Sequence, residues 1–376
     1  MTDKTSDAPR FVFATCQVGA EDALKHEVLR EWPSFRFSYS RPGFVTFKIQ
    51  GDEDLRPDFD LRSVFARTYG LSIGRVGKKG ESVEQMAEDA WRLFGNRLVR
   101  QIHVWERDAA APGQKQFEPG LTPDAQNVYR ALLSACSSSE RLVSTPDSFG
   151  APAAPGDFVM DCVIVSPHEW WIGYHRAKEF SSLTPGGMLD LQLPEDAASR
   201  AWLKFDEGLR WSELPIPEEA RWADIGSAPG GSSQALLQHG YEVWGIDPAT
   251  VAPQVLAHPQ FTHLRKKAAD VRRRDLRKIR WVMADMNVAP KYTLEVLESL
   301  TMHPEINIRG MLFTLKLLEW KLAAEIPAFL EQVQGWGFQH VKARQLQYNR
   351  QEICISALKH PFKRKPIHVK HPDRKS

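Results

Sequence analysis

Asp224-Ile225-Gly226-Ser227-Ala228-Pro229-Gly230-Gly231-Ser232 is the stretch with the clearest chemical purpose. An apolar segment runs into a glycine-rich turn, and a helix is expected from about Ser233. Glycines let the backbone adopt positive φ and approach a ligand closely. In open α/β sheets ligands bind at the carboxyl ends of strands. The turn is not G-x-G-x-x-G, because Ser227 and Ala228 follow Gly226, and it lacks the G-K-[ST] of a phosphate loop. Those differences disfavour a nicotinamide dehydrogenase and a nucleoside triphosphatase. Asp247 closes the next strand-like segment, Gly245-Ile246-Asp247, at the distance at which an acid can accept hydrogen bonds from both ribose hydroxyls of a nucleoside. Asp270 follows a third such segment and is placed to meet an adenine amino group. A turn or a helix cap accounts for each of these acids taken alone; together with the glycine turn they point to a nucleoside cofactor.

Four further residues stand at the edges of expected elements. Lys204 lies early in an amphipathic helix from Ala201 to Leu209. Asp285 follows Val282-Met283-Ala284, Lys316 follows Phe313-Thr314-Leu315, and Glu352 opens Glu352-Ile353-Cys354. A charged group at the carboxyl edge of a buried parallel strand faces the ligand crevice. Asp285 serves there in both the catalytic and the cofactor-binding set.

The elements that must hold these residues alternate after Ser199. Strands are expected at Arg221–Ile225, Glu242–Ile246, Phe261–Leu264, Trp281–Ala284, Gly310–Leu315, His340–Leu346 and Glu352–Leu358, with helices between most of them. This pattern is an α/β domain on a largely parallel sheet, and the last two strands are close enough for a terminal antiparallel hairpin. Ahead of it, Phe11–Thr15, a helix from Ala20 to Trp32 and Gly43–Ile49 read as a small β-α-β unit. Ser82 and Gln85 form a capping box before an apolar helical stripe of Val83, Met86, Ala87, Ala90, Trp91 and Phe94. A strand at Gln101–Glu106, a helix from Thr122 to Leu133 and paired strands at Phe158–Val165 and Glu169–Tyr174 follow, and Pro185-Gly186-Gly187 with Pro194 mark the boundary.

At the residues of the glycine turn and the four charged edges the sequence resembles the FtsJ-like RNA 2′-O-ribose methyltransferases, which carry a Lys-Asp-Lys-Glu tetrad on a class I, Rossmann-like fold. Within them it is similar to the RlmM group, which methylates a cytidine ribose of 23S ribosomal RNA. The matching stretches are Trp171-Ile172-Gly173-Tyr174, Ser199 to Lys204, Asp224 to Gly231, Asn307 to Leu317, and Ala343 to Leu346 with Arg350-Gln351-Glu352. Ser232 and Leu318 depart from that group, which has Trp and Pro there. The resemblance covers about residues 158–360. It implies S-adenosylmethionine as cofactor, held by Asp224, Gly226, Ser227, Ala228, Pro229, Gly230, Gly231, Ser232, Asp247, Asp270 and Asp285, and catalysis by Lys204, Asp285, Lys316 and Glu352. It also implies direct attack of a ribose hydroxyl on the methyl group. Lys316 is the expected base, with the cation Lys204 favouring its neutral form and Asp285 orienting it, while Lys204 and Glu352 hold the nucleotide. No metal is expected.

The front end resembles, in Phe13-Ala14-Thr15-Cys16 with Gly19, Glu21 and Leu24, the ferredoxin-like unit ahead of THUMP RNA-binding domains. The implied layout is 1–75 ferredoxin-like, 76–195 THUMP-like, 196–362 methyltransferase and 363–376 a basic tail. Large-subunit ribosomal RNA or its precursor is the implied partner. Two alternatives remain at this point. One is an RNA-binding ribosome-assembly factor without activity. The other is a THUMP-type base methyltransferase, which Asp285-Met286-Asn287-Val288 fails to match at its expected motif.

Composition sets wider limits. The net charge of +2 does not announce a nucleic-acid partner, but nine of the residues from Arg265 to Arg280 are basic, against Asp270 and Asp275. Such a cluster, like the tail with Lys363, Arg364, Lys365, Lys370, Arg374 and Lys375, can neutralise phosphates, or can be a solvated face. Cys16, Cys136, Cys162 and Cys354 are scattered, without a C-x-x-C pair, which argues against a zinc site and a disulfide framework. No apolar run approaches the roughly 20 residues of a membrane span, and the polar start lacks a secretory core, so a cytoplasmic protein is expected. The sequence does not fix the oligomeric state; a monomer is expected.

Overall fold

The computed structural model describes residues 10–51, 54–136, 142 and 148–360. The basic tail from Lys363 and the polar start lie outside the described residues. The chain divides into two compact units. The first comprises residues 1–193 together with 316–326 and 344–354; the second comprises 194–315, 327–343 and 355–376.

The first unit is built on one seven-stranded sheet. Its strands are β1 (Phe11–Thr15), β2 (Phe35–Arg41), β3 (Phe44–Ile49), β4 (Thr68–Val76), β5 (Gln101–Glu106), β6 (Phe158–Ser166) and β7 (Glu169–Arg176). They lie in the order β2-β3-β1-β4-β7-β6-β5. Its helices are α1 (Glu21–Glu31), α2 (Val83–Phe94), α3 (Pro123–Ala135) and the short α4 (Phe180–Leu183). The apolar stripe of α2 is buried at Met86, Ala87, Ala90, Trp91 and Phe94, while Val83 is exposed. Ser82 caps that helix through its side chain, but Gln85 spends its amide on Asp89 instead of closing the box. The expected β-α-β unit is corrected: β1 pairs antiparallel with β3, because β2 makes a hairpin with β3 after α1. Strands β2 and β4 carry no expectation from the sequence. Gly70 and Gly74 interrupt β4 as a run of side chains, which disguises it, yet it pairs with both β1 and β7.

The second unit is built on the sheet β10-β9-β8-β11-β12-β14-β13. These strands are β8 (Arg221–Ile225), β9 (Glu242–Ile246), β10 (Phe261–Leu264), β11 (Trp281–Ala284), β12 (Gly310–Lys316), β13 (His340–Arg344) and β14 (Glu352–Leu358). Its helices are α5 (Ala201–Ser212), α6 (Gly231–Gln238), α7 (Pro253–Leu256), α8 (Pro290–Thr301) and α9 (Ile326–Gly335). The pairs β8–β9, β9–β10, β8–β11 and β11–β12 are parallel. Residues 345–351 are too few for a parallel crossover, so the neighbours β13 and β14 form an antiparallel hairpin. The order runs outward from β8 to β10 and then jumps back to β11. That makes the gap between the carboxyl ends of β8 and β11 the topological switch point, where open α/β sheets bind ligands. The core beneath it holds Trp222 and Trp281, with ring centroids 5.6 Å apart.

The cluster from Arg265 to Arg280 is not a helix face. It winds through two short 3-10 turns, Ala268–Asp270 and Arg273–Leu276, anchored by buried Val271, Leu276 and Ile279. Among the described residues no helix is long and apolar enough to cross a membrane. Cys16, Cys162 and Cys354 are buried, and no disulfide joins the four cysteines.

Candidate active site

The glycine turn leaves β8 at the switch point. Gly226 (φ 79°) and Gly230 (φ 121°) both occupy the left-handed side that other residues avoid. A Cβ on Gly226 would stand 3.2 Å from the Asp285 carbonyl oxygen, so glycine keeps the β8 and β11 ends apart by only backbone width. Asp224 and Ser232 brace the turn. Both are buried, and the hydroxyls of Ser232 and Ser233 each donate to Asp224 Oδ2 at 2.6 Å, bracing the turn from within. Burial, aided by the charges of Asp285 and Asp247 and opposed by the two serine hydroxyls, pushes the Asp224 carboxyl up to about 6.

Asp247 sits half-buried where β9 ends. Its Oδ2 accepts from the Ala228 amide at 3.2 Å and its Oδ1 from the Ala249 amide at 2.8 Å. A carboxylate has about four acceptor positions, so this one is fixed in orientation and keeps capacity for two ribose hydroxyls. Ser227 Oγ is buried without a hydrogen-bond partner, as is Asp224 Oδ1. A backbone cradle with an oriented acid and an unsatisfied hydroxyl fits a nucleoside cofactor. Asp270 is exposed in its 3-10 turn, following β10 in sequence.

The second acid of the switch point is Asp285, directly after β11. Lys204 Nζ donates to its Oδ2 at 2.6 Å, and Thr314 Oγ1 donates to its Oδ1 at 2.6 Å. The side chains of Lys204 and Asp285 are 12% and 11% exposed, enough to meet a substrate yet largely out of bulk water. Lys204 is delivered by α5, whose start packs against α6: a Cβ on Gly231 would fall 2.3 Å from Ser199 Oγ and 3.0 Å from the Trp202 amide. Trp202 Nε1 donates to Gln238 Oε1 at 2.7 Å across the same helix pair.

Lys316 ends β12, and its ammonium pairs with Glu352 at the start of β14. The Leu317 amide donates to the Gln351 carbonyl at 2.9 Å and ties the two segments together. Asn349 Nδ2 donates to Glu352 Oε1 at 3.3 Å, and Asn349 Oδ1 accepts from the Leu346 amide at 2.9 Å. The stretch around Asn349 is fastened within the first unit. Gln347 Nε2 donates to the Pro119 carbonyl at 2.8 Å, Arg350 Nε to the Pro112 carbonyl at 2.9 Å, and the Gln345 amide to the Val64 carbonyl at 2.8 Å. A hydrogen bond joins Lys204 to Asp285, and an ion pair joins Lys316 to Glu352. Thr314 and Asn349 were not singled out, and their only sequence signal was position: one alternates with Leu315 on β12, the other stands three residues before Glu352.

Residues 197–352 match the model of the FtsJ-like methyltransferase family. They form an FtsJ-like methyltransferase domain. The chain is also similar to curated proteins named Ribosomal RNA large subunit methyltransferase M. That of Idiomarina loihiensis is 24% identical over 368 residues, spanning 90% of this chain and 94% of that protein. That of Halorhodospira halophila is 29% identical over 364 residues, spanning 93% and 97%. That of Saccharophagus degradans is 30% identical over 220 residues, spanning 54% and 60%. The FtsJ-like domain contains the cradle and both lysine–carboxylate pairs, and the enzyme is an S-adenosylmethionine-dependent methyltransferase.

Proposed function

We propose that this enzyme methylates a ribose 2′-hydroxyl of large-subunit ribosomal RNA, at a cytidine, with Lys204, Asp285, Lys316 and Glu352 as its catalytic set. The observation that carries the reading is the presence of two lysine–carboxylate pairs: Lys204 on α5 with Asp285 after β11, and Lys316 at the end of β12 with Glu352 at the start of β14. A ribose hydroxyl is a weak nucleophile with a tightly held proton. Lysines and carboxylates suit its alignment and deprotonation. Base methylation at a cytosine carbon would call for a nucleophilic thiol, whereas Cys354 is buried within β14.

S-adenosylmethionine, when bound, supplies a methyl group on a sulfonium, which departs as a neutral thioether. Gly226 to Gly231 would lie along it, with Asp247 on its ribose and Ser227 Oγ as a further polar contact. Lys316 acts once its ammonium has released one proton to solvent: the neutral Nζ then takes the proton of the 2′-hydroxyl as that oxygen forms its bond to the methyl carbon. Glu352, held by Asn349, fixes where the Lys316 amine stands. Asp285, held by Thr314, fixes Lys204, which aligns the nucleotide.

Residues 1–75 and 76–195 are read as ferredoxin-like and THUMP-like RNA-binding parts. What supports an RNA-related part here is that relatives named for a ribosomal RNA methyltransferase match the chain nearly end to end, these stretches included. The exposed basic residues Arg265, Lys266, Lys267, Arg272, Arg274, Arg277 and Lys278 suit phosphate contacts, although Arg272 and Arg274 are shared with Asp275 and Arg277 with Glu305. The test is Lys316→Ala. It abolishes methyl transfer and leaves S-adenosylmethionine affinity within a few-fold by calorimetry; retained turnover removes Lys316 as the base.

A further inference from the structure

The front sheet gathers three side chains that the methyltransferase reading does not use. Strands β5, β6 and β7 are neighbours, with His103 opposite Asp161 and Asp161 opposite Gly173. His175 lies two residues beyond Gly173, hence on the same face as Asp161. The three side chains are 1%, 0% and 4% exposed. One ligand-type atom from each lies within 4.8 Å of the others. We propose that His103, Asp161 and His175 bind one divalent transition-metal ion of the zinc type, as a structural clasp across β5, β6 and β7.

Unsatisfied hydrogen-bonding capacity is the first argument. Neither ring nitrogen of His103 has a hydrogen-bond partner, and Asp161 Oδ1 has none either. An imidazole sealed from water with both nitrogens unused is costly, and so is a half-satisfied carboxylate. A cation bound between them uses one nitrogen and that oxygen at once.

His175 supplies the second argument. Its Nε2 is 2.8 Å from the Ser182 carbonyl, which can only accept, so Nε2 carries a hydrogen. Its Nδ1 then faces Asp161 Oδ2 at 2.7 Å. A lone pair against a carboxylate requires a positive species between them, either a second proton or a metal ion. A ligating histidine that donates its other N–H to a backbone carbonyl is the usual outer support of a metal site. Metal binding here displaces the proton between Nδ1 and Oδ2 into solvent. Burial, with His175 adding to it, drives the His103 pKa well below the usual histidine range, so that ring is neutral and available as a ligand.

Space is the third. A Cβ on Gly70 of β4 would stand 3.1 Å from Asp161 Oδ2 and 2.9 Å from the Tyr174 carbonyl. Ligands around zinc at roughly 2.0–2.2 Å lie about 3.3 Å from one another, so on binding the His175 Nδ1–Asp161 Oδ2 contact of 2.7 Å opens slightly while His103 closes in. Imidazole and carboxylate donors without a thiolate suit zinc and its first-row neighbours. A site this buried holds strands together and does not meet substrate.

The experiment uses the full-length chain, without a histidine tag, loaded with zinc and dialysed, and compares it with His103→Phe by elemental analysis and thermal unfolding. The expected result is about one zinc per wild-type chain, background zinc in His103→Phe, a fall in wild-type Tm with a chelator that the variant does not show, and unchanged methyl transfer in the variant. Cobalt-loaded wild type should show the visible d–d bands of a low-coordinate nitrogen–oxygen site, which decides the matter even if the variant fails to fold. Zinc at background in the loaded wild type, or equal zinc in both proteins with no chelator effect on Tm, overturns the site and leaves a histidinium–carboxylate pair.

Discussion

Lys204 reaches across 81 residues of sequence to place its ammonium 2.6 Å from Asp285 Oδ2. The pair is mostly buried, so it has both a structural and a chemical consequence, and the two separate by mutation. Lys204→Met removes the cation that donates to Asp285 Oδ2 and should cost about 3 kcal/mol of stability, as broken buried pairs do. Lys204→Met with Asp285→Leu removes both charges and should recover most of that loss. Methyl transfer should stay at least about 100-fold down in both proteins. Urea melts and a transfer assay on the same samples check this; recovery of activity along with stability would make the pair purely structural.

Gly231 sets the approach of α6 to α5, where a Cβ would strike Ser199 and the Trp202 amide. Gly231→Ala should therefore displace the start of α5 and with it Lys204. Overpacking of this kind costs about 1–3 kcal/mol. Misplacement of an aligning group by about 1 Å can cost about 100-fold in rate. The expected result is a fall in kcat larger than the fall in S-adenosylmethionine affinity. An unchanged kcat would show that α5 tolerates the shift.

Asp224 gives a pH signature. Its carboxyl is pushed up to about 6 from an ordinary value of 3.8, chiefly by burial. Between those values the native protein holds a proton that the unfolded chain has released, so stability falls as pH rises through the window. The contribution is fully present below about pH 4 and lost above about pH 6, a change of about 3 kcal/mol. Asp224→Asn cannot titrate. The difference in unfolding free energy between wild type and variant should therefore drift by that amount between about pH 4 and pH 6, and should be flat above pH 7. A constant difference would mean that Asp224 ionises normally.

The second sheet was legible because its strands are short apolar runs, three of them closed by Gly226, Asp247 or Asp285. The stretches Arg221–Ile225, Glu242–Ile246, Phe261–Leu264, Trp281–Ala284 and Glu352–Leu358 fall where they were expected. Lys316 extends its strand by one residue, and β13 stops at Arg344, before Gln345 turns its amide to Val64. The front sheet was harder to read. Its strand β4 carries Gly70 and Gly74, and β2 keeps Phe37 half exposed at an edge, so neither shows a clean alternation. Charged residues at strand ends were visible as candidates, but the pairing among them was not. Lys204–Asp285 and the bracing of Asp224 by Ser232 and Ser233 depend on a turn and a helix whose relative placement is a tertiary property. His103, Asp161 and His175 were invisible for the same reason: only the register of β5, β6 and β7 brings them to one face.

The most direct test of the central claim is labelled methyl transfer from S-adenosylmethionine to total RNA from cells lacking this enzyme, followed by nucleoside analysis, with Lys316→Ala in parallel. The account predicts a single new 2′-O-methylated cytidine in the large ribosomal RNA, formed by the wild type and not by the variant. A methylated base, or label incorporated equally by Lys316→Ala, would contradict it.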